Sequence, residues 1–155
     1  MAGKIDARLA ELGITLPTPA APVANYVPFV KVGNLVFLSG QVPLVDGKPS
    51  HTGKAGAERS LEEAQAAARV CTINLIAQLK AACDGDLDRV KRVVRLGGFV
   101  ASTPDFTDQP KVVNGASDLM VEVFGDAGRH CRTAVSAPSL PLDVTVEVDA
   151  VAEIA

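Results

Sequence analysis

Apolar positions change their period several times along the chain, and each change marks an element. Ile5, Leu9 and Leu12 recur at helical spacing and stop at Gly13, predicting a short N-terminal helix over Ile5–Leu12. Pro17, Pro19 and Pro22 follow and read as an extended connector. The helix is expected to be a peripheral appendage, dividing the chain into residues 1–22 and one domain over residues 23–155. Two β-rich runs come next, Tyr26–Val32 and Leu35–Ser39, parted by Gly33-Asn34. Two turn-prone residues there signal a hairpin, although Asn-Gly is the commoner order. Gln41–Gly56 carries Pro43, Asp46-Gly47, Pro49 and Gly53 and reads as a long surface loop.

From Glu58 to Cys83 the period lengthens. Leu61, Ala64, Ala68, Cys71, Leu75, Leu79 and Ala82 fall at three- and four-residue steps on one buried helix face, and Asp84-Gly85-Asp86 closes it. Val90–Ala101 is β-rich, with Gly97-Gly98 suggesting a bulge or bend. Pro110–Phe124 is a second helical pattern, with Val113, Ala116, Met120, Val123 and Phe124 on one face and proline in the first turn. Two strands end the chain, Thr133–Ala137 and Val144–Ile154, parted by a turn over Pro138–Pro141. The order helix, β, β, α, β, α, β, β defines an α+β class with one sheet.

A length of 155 residues suits one domain. The net charge of -3 provides no electrostatic footprint for nucleic acid or an anionic membrane, which counts against an RNA-directed role. Cys71, Cys83 and Cys131 are odd in number and lack CxxC spacing, so neither a disulfide framework nor a zinc site is expected. With no apolar run long enough to span a bilayer and no signal-peptide pattern, a cytoplasmic location is expected.

In the last strand Val144, Val146, Val148 and Ala150 alternate with Thr145, Glu147 and Asp149, so the two carboxylates emerge opposite the apolar face. Arg132 precedes the penultimate strand, which is expected to pair antiparallel with the last one and so bring Arg132 to face Glu147. A strand-held arginine is a good carboxylate receptor, because its planar fork binds two oxygens at once. The plain alternative is an internal salt bridge from Arg132 to Glu147 or Asp149. Arg129, His130, Cys131 and Arg132 form a dense polar cluster. Adjacent His and Cys without further ligands make a weak metal site. Cys131 could be activated by the flanking arginines, but alternation sets it opposite Arg132, and a packing role is the preferred reading. No GxGxxG, P-loop or GxSxG signature is present, and His51 is expected to be exposed in its loop.

Two blocks resemble the YjgF/RidA (reactive intermediate deaminase) family, also labelled endoribonuclease L-PSP or translation-inhibitor-like. They are YVPFVKVGNLVFLSGQVP, Tyr26–Pro43, and RTAVSAPSLPLDVTVEVDAVA, Arg132–Ala152. The resemblance implies a chorismate-mutase-like fold, with two helices packed on one face of a single sheet and the short N-terminal helix added. It also implies a homotrimer with clefts between subunits, and no metal or organic cofactor. Position by position, it makes Arg132 the partner of the substrate carboxylate, Tyr26 a cleft wall and Glu147 the glutamate near the catalytic water. Ser39 and Gly40 match the substrate-facing loop, Asn114 an asparagine of the second helix, and Ala134 a position where the family often has cysteine. Ala134 and a longer Pro104–Asn114 segment mark a divergent subgroup. The implied activity is hydrolysis of reactive 2-enamine or 2-imine carboxylates to 2-keto acids and ammonia. The alternatives are a non-catalytic protein that binds a small carboxylate and regulates, or an endoribonuclease and translation inhibitor.

Overall fold

Eight residues, Lys4–Glu11, form α1; the backbone amides of Lys4 and Ile5 donate to the Asp88 carboxylate, which holds the first turn. The structure, a computed structural model, describes residues 3–19, 21 and 24–155, so Pro22 of the proline-rich connector lies outside the described residues. α1 buries Leu9 in the common core, donates from Arg8 Nε to the Glu122 carbonyl, and pairs Asp6 with Lys80 at 2.9 Å.

β1 (Phe29–Val32) and β2 (Leu35–Gln41) form the expected hairpin, starting three residues later than the pattern suggested. Gly33 adopts φ 59°, and Asn34 is not among the positive-φ residues. Glycine first with a left-handed backbone is the demand of a II′ turn, which explains the Gly-Asn order. The stretch expected as an open loop carries a second small hairpin, β3 (Leu44–Val45) and β4 (Lys48–Pro49), turning at Asp46-Gly47. His51 beyond it is half-buried rather than exposed: Nδ1 shares a 2.7 Å hydrogen bond with Ser50, and burial, then Arg59, lowers its pKa.

α2 (Leu61–Ala82) starts at Ser60, whose side chain accepts from the Glu63 amide. Its predicted apolar face is buried, Leu61 only in part. β5 (Val90–Ala101) leads into α3 (Gln109–Phe124), then β6 (Cys131–Ala137) and β7 (Val146–Ile154). The main sheet runs β1-β2-β7-β5-β6, antiparallel except for the parallel β5–β6 edge. On β7 the burial alternates strictly, with Val146, Val148, Ala150, Ala152 and Ile154 buried. They lie on the face that carries both helices. The opposite face leaves Val30, Val32, Phe37, Phe99 and Val135 exposed.

Two expectations are corrected here. The register shifts of β5 fall between Val90 and Arg92 and between Val93 and Arg95, not at Gly97-Gly98. Those glycines serve close approach instead: a Cβ at Gly98 would meet the Val113 side chain of α3 at 2.5 Å, and one at Gly97 would meet the Asp149 carboxylate. The larger correction concerns β6, which pairs parallel with β5 and never touches β7 in the sheet. No helix among the described residues is long and apolar enough to cross a membrane.

Candidate functional site

β2 pairs regularly with β7 as far as Leu38 and then breaks register before Gln41. The irregularity opens a cleft of about 370 Å³ at the end of the sheet. Tyr26, Ser39, Gly40, Gln41, Gln78 and Glu147 are among its lining residues, and Pro28 and Leu142 add apolar wall. Ser39 ties the segment before β1 to β2: its hydroxyl donates to the Val27 carbonyl at 2.7 Å and its amide to the Pro28 carbonyl at 2.9 Å. That anchorage leaves Tyr26 at the rim, 57% exposed.

Glu147 is the half-buried carboxylate of this cleft. Burial raises its pKa above the ordinary glutamate value, and the negative charge of Asp149 raises it further. Asp149 itself lies 3.6 Å from Arg95, so the salt bridge considered for it goes to that arginine and not to Arg132. Gly40 leaves the space the carboxylate occupies: a Cβ there would lie 2.5 Å from Glu147 Oε1 and 3.1 Å from its Cδ. Beneath the sheet, the Cys71 thiol donates to the Val146 carbonyl, and burial followed by the Glu147 charge pushes its pKa well up, leaving it an inert thiol.

Arg132 is placed elsewhere. It is the second residue of β6 and is paired with the fully buried Leu96, so it lies on the helix-bearing face. Its guanidinium donates from Nη1 to Ser117 Oγ at 3.1 Å and from Nη2 to the Pro110 carbonyl at 3.0 Å. Asn114 stands between Pro110 and Ser117 at four- and three-residue spacing on α3, on the side that meets Arg132. Ala134, two residues on from Arg132 and paired with Gly98, shares its face. Cys131 alternates to the other side as expected, but it is exposed, its thiol donating to the Val94 carbonyl at 3.3 Å; the packing role is corrected.

The predicted residues therefore fall into two groups. Tyr26, Ser39, Gly40 and Glu147 meet at the cleft; Arg132, Ala134 and Asn114 gather at the β6 edge. Glu147 pairs with Phe99 on the exposed face, so Arg132 does not face it. Two strand spacings and a three-residue offset put their Cα atoms roughly 14 Å apart, with side chains on opposite faces. Sequence reasoning also missed Gln78, a buried amide in the cleft wall, and Ser117. Gln78 adjoins the apolar positions of α2, and a polar residue at a buried helical position was the available signal. Among the described residues no group of three His, Cys, Asp or Glu side chains could hold a metal ion.

Comparisons with known proteins agree with this architecture. Residues 6–154 match the YjgF/chorismate mutase-like, putative endoribonuclease family, and the chain belongs to it. It is 50% identical over 153 residues to Protein TCP17 of Trypanosoma cruzi, covering 98% of this chain and 95% of that one. The solved structure of the protein Atu1372 with unknown function, from Agrobacterium tumefaciens, is 50% identical and superposes with a TM-score of 0.92 over 97% of this chain and 92% of that one. A 2-iminobutanoate/2-iminopropanoate deaminase of Dermatophagoides farinae is 27% identical over 89% of this chain and 92% of its own. The family thus includes a named imine deaminase.

Proposed function

We propose that the protein hydrolyses small 2-imino carboxylates to 2-keto acids and ammonia, at sites completed between copies of the chain in a homotrimer. The observation that carries this reading is Glu147, a carboxylate whose proton affinity burial has raised, lining a cleft that Gly40 keeps clear beside it. A carboxylate base whose pKa is raised is shifted towards proton transfer nearer neutral pH. In the reaction, Glu147 takes a proton from water as its oxygen bonds to the C=N carbon. Glu147 passes that proton to the imine nitrogen, giving a carbinolamine. It then takes the carbinolamine hydroxyl proton and delivers it to the nitrogen as the C=O bond forms and the C–N bond breaks, leaving the 2-keto acid and ammonia. Arg132 holds the substrate carboxylate, so attack becomes an oriented, nearly intramolecular step. Tyr26 walls the cleft, Ser39 and Gly40 line it, and Ala134 and Asn114 border the arginine.

The assembly follows from substrate size. The carboxylate of a 2-imino acid is bonded directly to the carbon under attack, so anchor and base must act within a few ångströms of each other. Within one chain Arg132 and Glu147 are roughly 14 Å apart on opposite faces, so one substrate needs them from two copies. A contact between one copy's β6 edge and the next copy's cleft is heterologous, and a three-fold rotation closes such a contact into a ring. The exposed apolar side chains Val30, Phe37, Phe99 and Val135 are the surface such a ring would bury.

The test mixes two variants, Arg132→Ala and Glu147→Gln, each inactive alone in ammonia release from 2-imino acids made in situ by an amino-acid oxidase. Random three-membered rings from an equal mixture, refolded together, carry intact sites at about a quarter of positions, so about a quarter of wild-type activity returns. No recovery would place both groups in one subunit's site. Wild type that binds a 2-keto acid without accelerating imine hydrolysis would leave a carboxylate-binding protein.

A further inference from the structure

Arg132 does not stand alone on its edge. Ser117 Oγ, which accepts from Arg132 Nη1 at 3.1 Å, lies 2.8 Å from His130 Nε2, and His130 Nδ1 lies 2.6 Å from the Gly128 carbonyl oxygen. We infer that Ser117 and His130 are positioning residues, a hydrogen-bonded relay that holds the Arg132 guanidinium ready for a carboxylate. The inference rests on the reading of Arg132 as the substrate anchor and deepens it.

The proton positions follow from which groups can only donate or only accept. A carbonyl oxygen only accepts, so the proton between Gly128 and His130 sits on Nδ1. A guanidinium only donates, so Ser117 Oγ accepts from Arg132. A neutral imidazole with its proton on Nδ1 offers a lone pair at Nε2, and the remaining Ser117 hydrogen points to it. Every link then has one donor and one acceptor, running from Arg132 through Ser117 and His130 to Gly128. The other imidazole tautomer would set Nε2–H towards Ser117 and leave Nδ1 facing the Gly128 oxygen with no proton between them.

The geometry also leaves the arginine free for work. Nη1 is held by Ser117 and Nη2 by the Pro110 carbonyl, using two of the five N–H donors. Three remain, enough for the paired contacts a planar fork makes with a carboxylate. Holding each terminal nitrogen by one bond fixes the plane of the fork, which removes rotamer freedom before the ligand arrives. Pro110 and Ser117 both lie on α3, and His130 follows Gly128 in the turn between α3 and β6, so one helix and its exit turn set the anchor.

Side-chain 15N NMR of histidine-labelled protein reads the relay directly, with His51→Gln assigning the two rings. The expected spectrum has His130 protonated at Nδ1 and bare at Nε2 at neutral pH, with the Nε2 resonance moving in Ser117→Ala. An Nε2-protonated ring, or one indifferent to Ser117→Ala, overturns the relay. Pyruvate binding and imine turnover read its purpose. Losing one hydrogen bond to a charged group should weaken pyruvate binding and raise KM about ten-fold in Ser117→Ala, with kcat within about two-fold. Ser117→Thr, which keeps the hydroxyl, should restore both. His130→Ala should act alike, and the double variant should be no worse than Ser117→Ala, because one chain is cut twice. Additive losses, or wild-type binding in Ser117→Ala while Arg132→Ala binds nothing, refute the relay and leave the anchor standing. Wild-type binding in Arg132→Ala refutes the anchor and the relay's purpose with it.

Discussion

Gly40→Ala adds one methyl group at the spot nearest the Glu147 carboxylate. The new carbon would lie 2.5 Å from Oε1, where ordinary contact begins at 3.4 Å, and the three nearest atoms all belong to Glu147. Gly40 does not use the left-handed backbone, so alanine can keep the same path. The carboxylate, the far end of a flexible side chain, has to retreat by roughly 1 Å, a misplacement that can cost on the order of 100-fold in rate. This corresponds to about 2.7 kcal/mol of transition-state stabilisation. Little else moves, so folding stability should change by no more than about 0.5 kcal/mol. Ammonia release with imines generated in situ measures the first quantity, and urea denaturation the second. The expected result is a fall in kcat with KM near wild type, because the added methyl meets Glu147 and not the arginine that binds the substrate carboxylate. Wild-type kcat in Gly40→Ala, alongside an inactive Glu147→Gln, would refute the claim that this glycine positions the base. A stability loss large enough to unfold the variant at the assay temperature would refute the claim that only the side chain yields.

Glu147→Gln should raise stability at neutral pH, measured as the denaturation midpoint. A folded pKa raised above the unfolded one means stability is full below the unfolded value and is lost as pH rises through the folded one, so the gain should vanish in acid. An equal gain at every pH would locate the effect elsewhere. Leu9→Ala should cost about 2–5 kcal/mol in urea denaturation, since Leu9 is 4% exposed within the common core; a cost below about 0.5 kcal/mol is what a loosely attached α1 would show. Gly115→Ala should cost about 1–3 kcal/mol, because its Cβ would collide with the Gln65 backbone carbonyl where α3 crosses α2. An unchanged midpoint in that variant would mean the two helices part freely.

Periodicity made the helices and faces legible, and pairing was where it stopped. The buried row Ala64, Ala68, Cys71, Leu75 and Leu79 was readable because a helix must repeat its buried face every three to four residues. The alternation of β7 likewise set Glu147 opposite Val146 and Val148. Alternation assigns a residue to a face without naming its neighbouring strand, so the expected β6–β7 pair rested on adjacency in sequence alone. The signal that could have corrected it lay between the strands: β5 and β6 are joined through α3, and a helix between strands lets the chain return and pair in parallel. The site divides similarly. Tyr26, Ser39, Gly40 and Glu147 converge through a register break in β2 that no residue pattern announced. Ser117 was hidden, and His130 stood out only as part of a polar cluster, because their link to Arg132 joins a helix face to a strand edge.

The parallel β5–β6 edge matters most for the chemistry. Had β6 returned antiparallel beside β7, Arg132 and Glu147 could have met as an internal ion pair. Each would then have satisfied the other, with the glutamate's pKa drawn down and the arginine's fork occupied. The crossover through α3 separates them by a strand and sets them on opposite faces. Glu147 is left with burial and Asp149, both of which favour its protonated form, so its proton affinity rises. Arg132 is left with two neutral acceptors, Ser117 and the Pro110 carbonyl, which orient its charge without cancelling it. A base with raised proton affinity and a cation with free donors are the two parts a 2-imino carboxylate requires. On the proposed function, the topology that keeps them apart within one chain keeps both available for a substrate held between two copies.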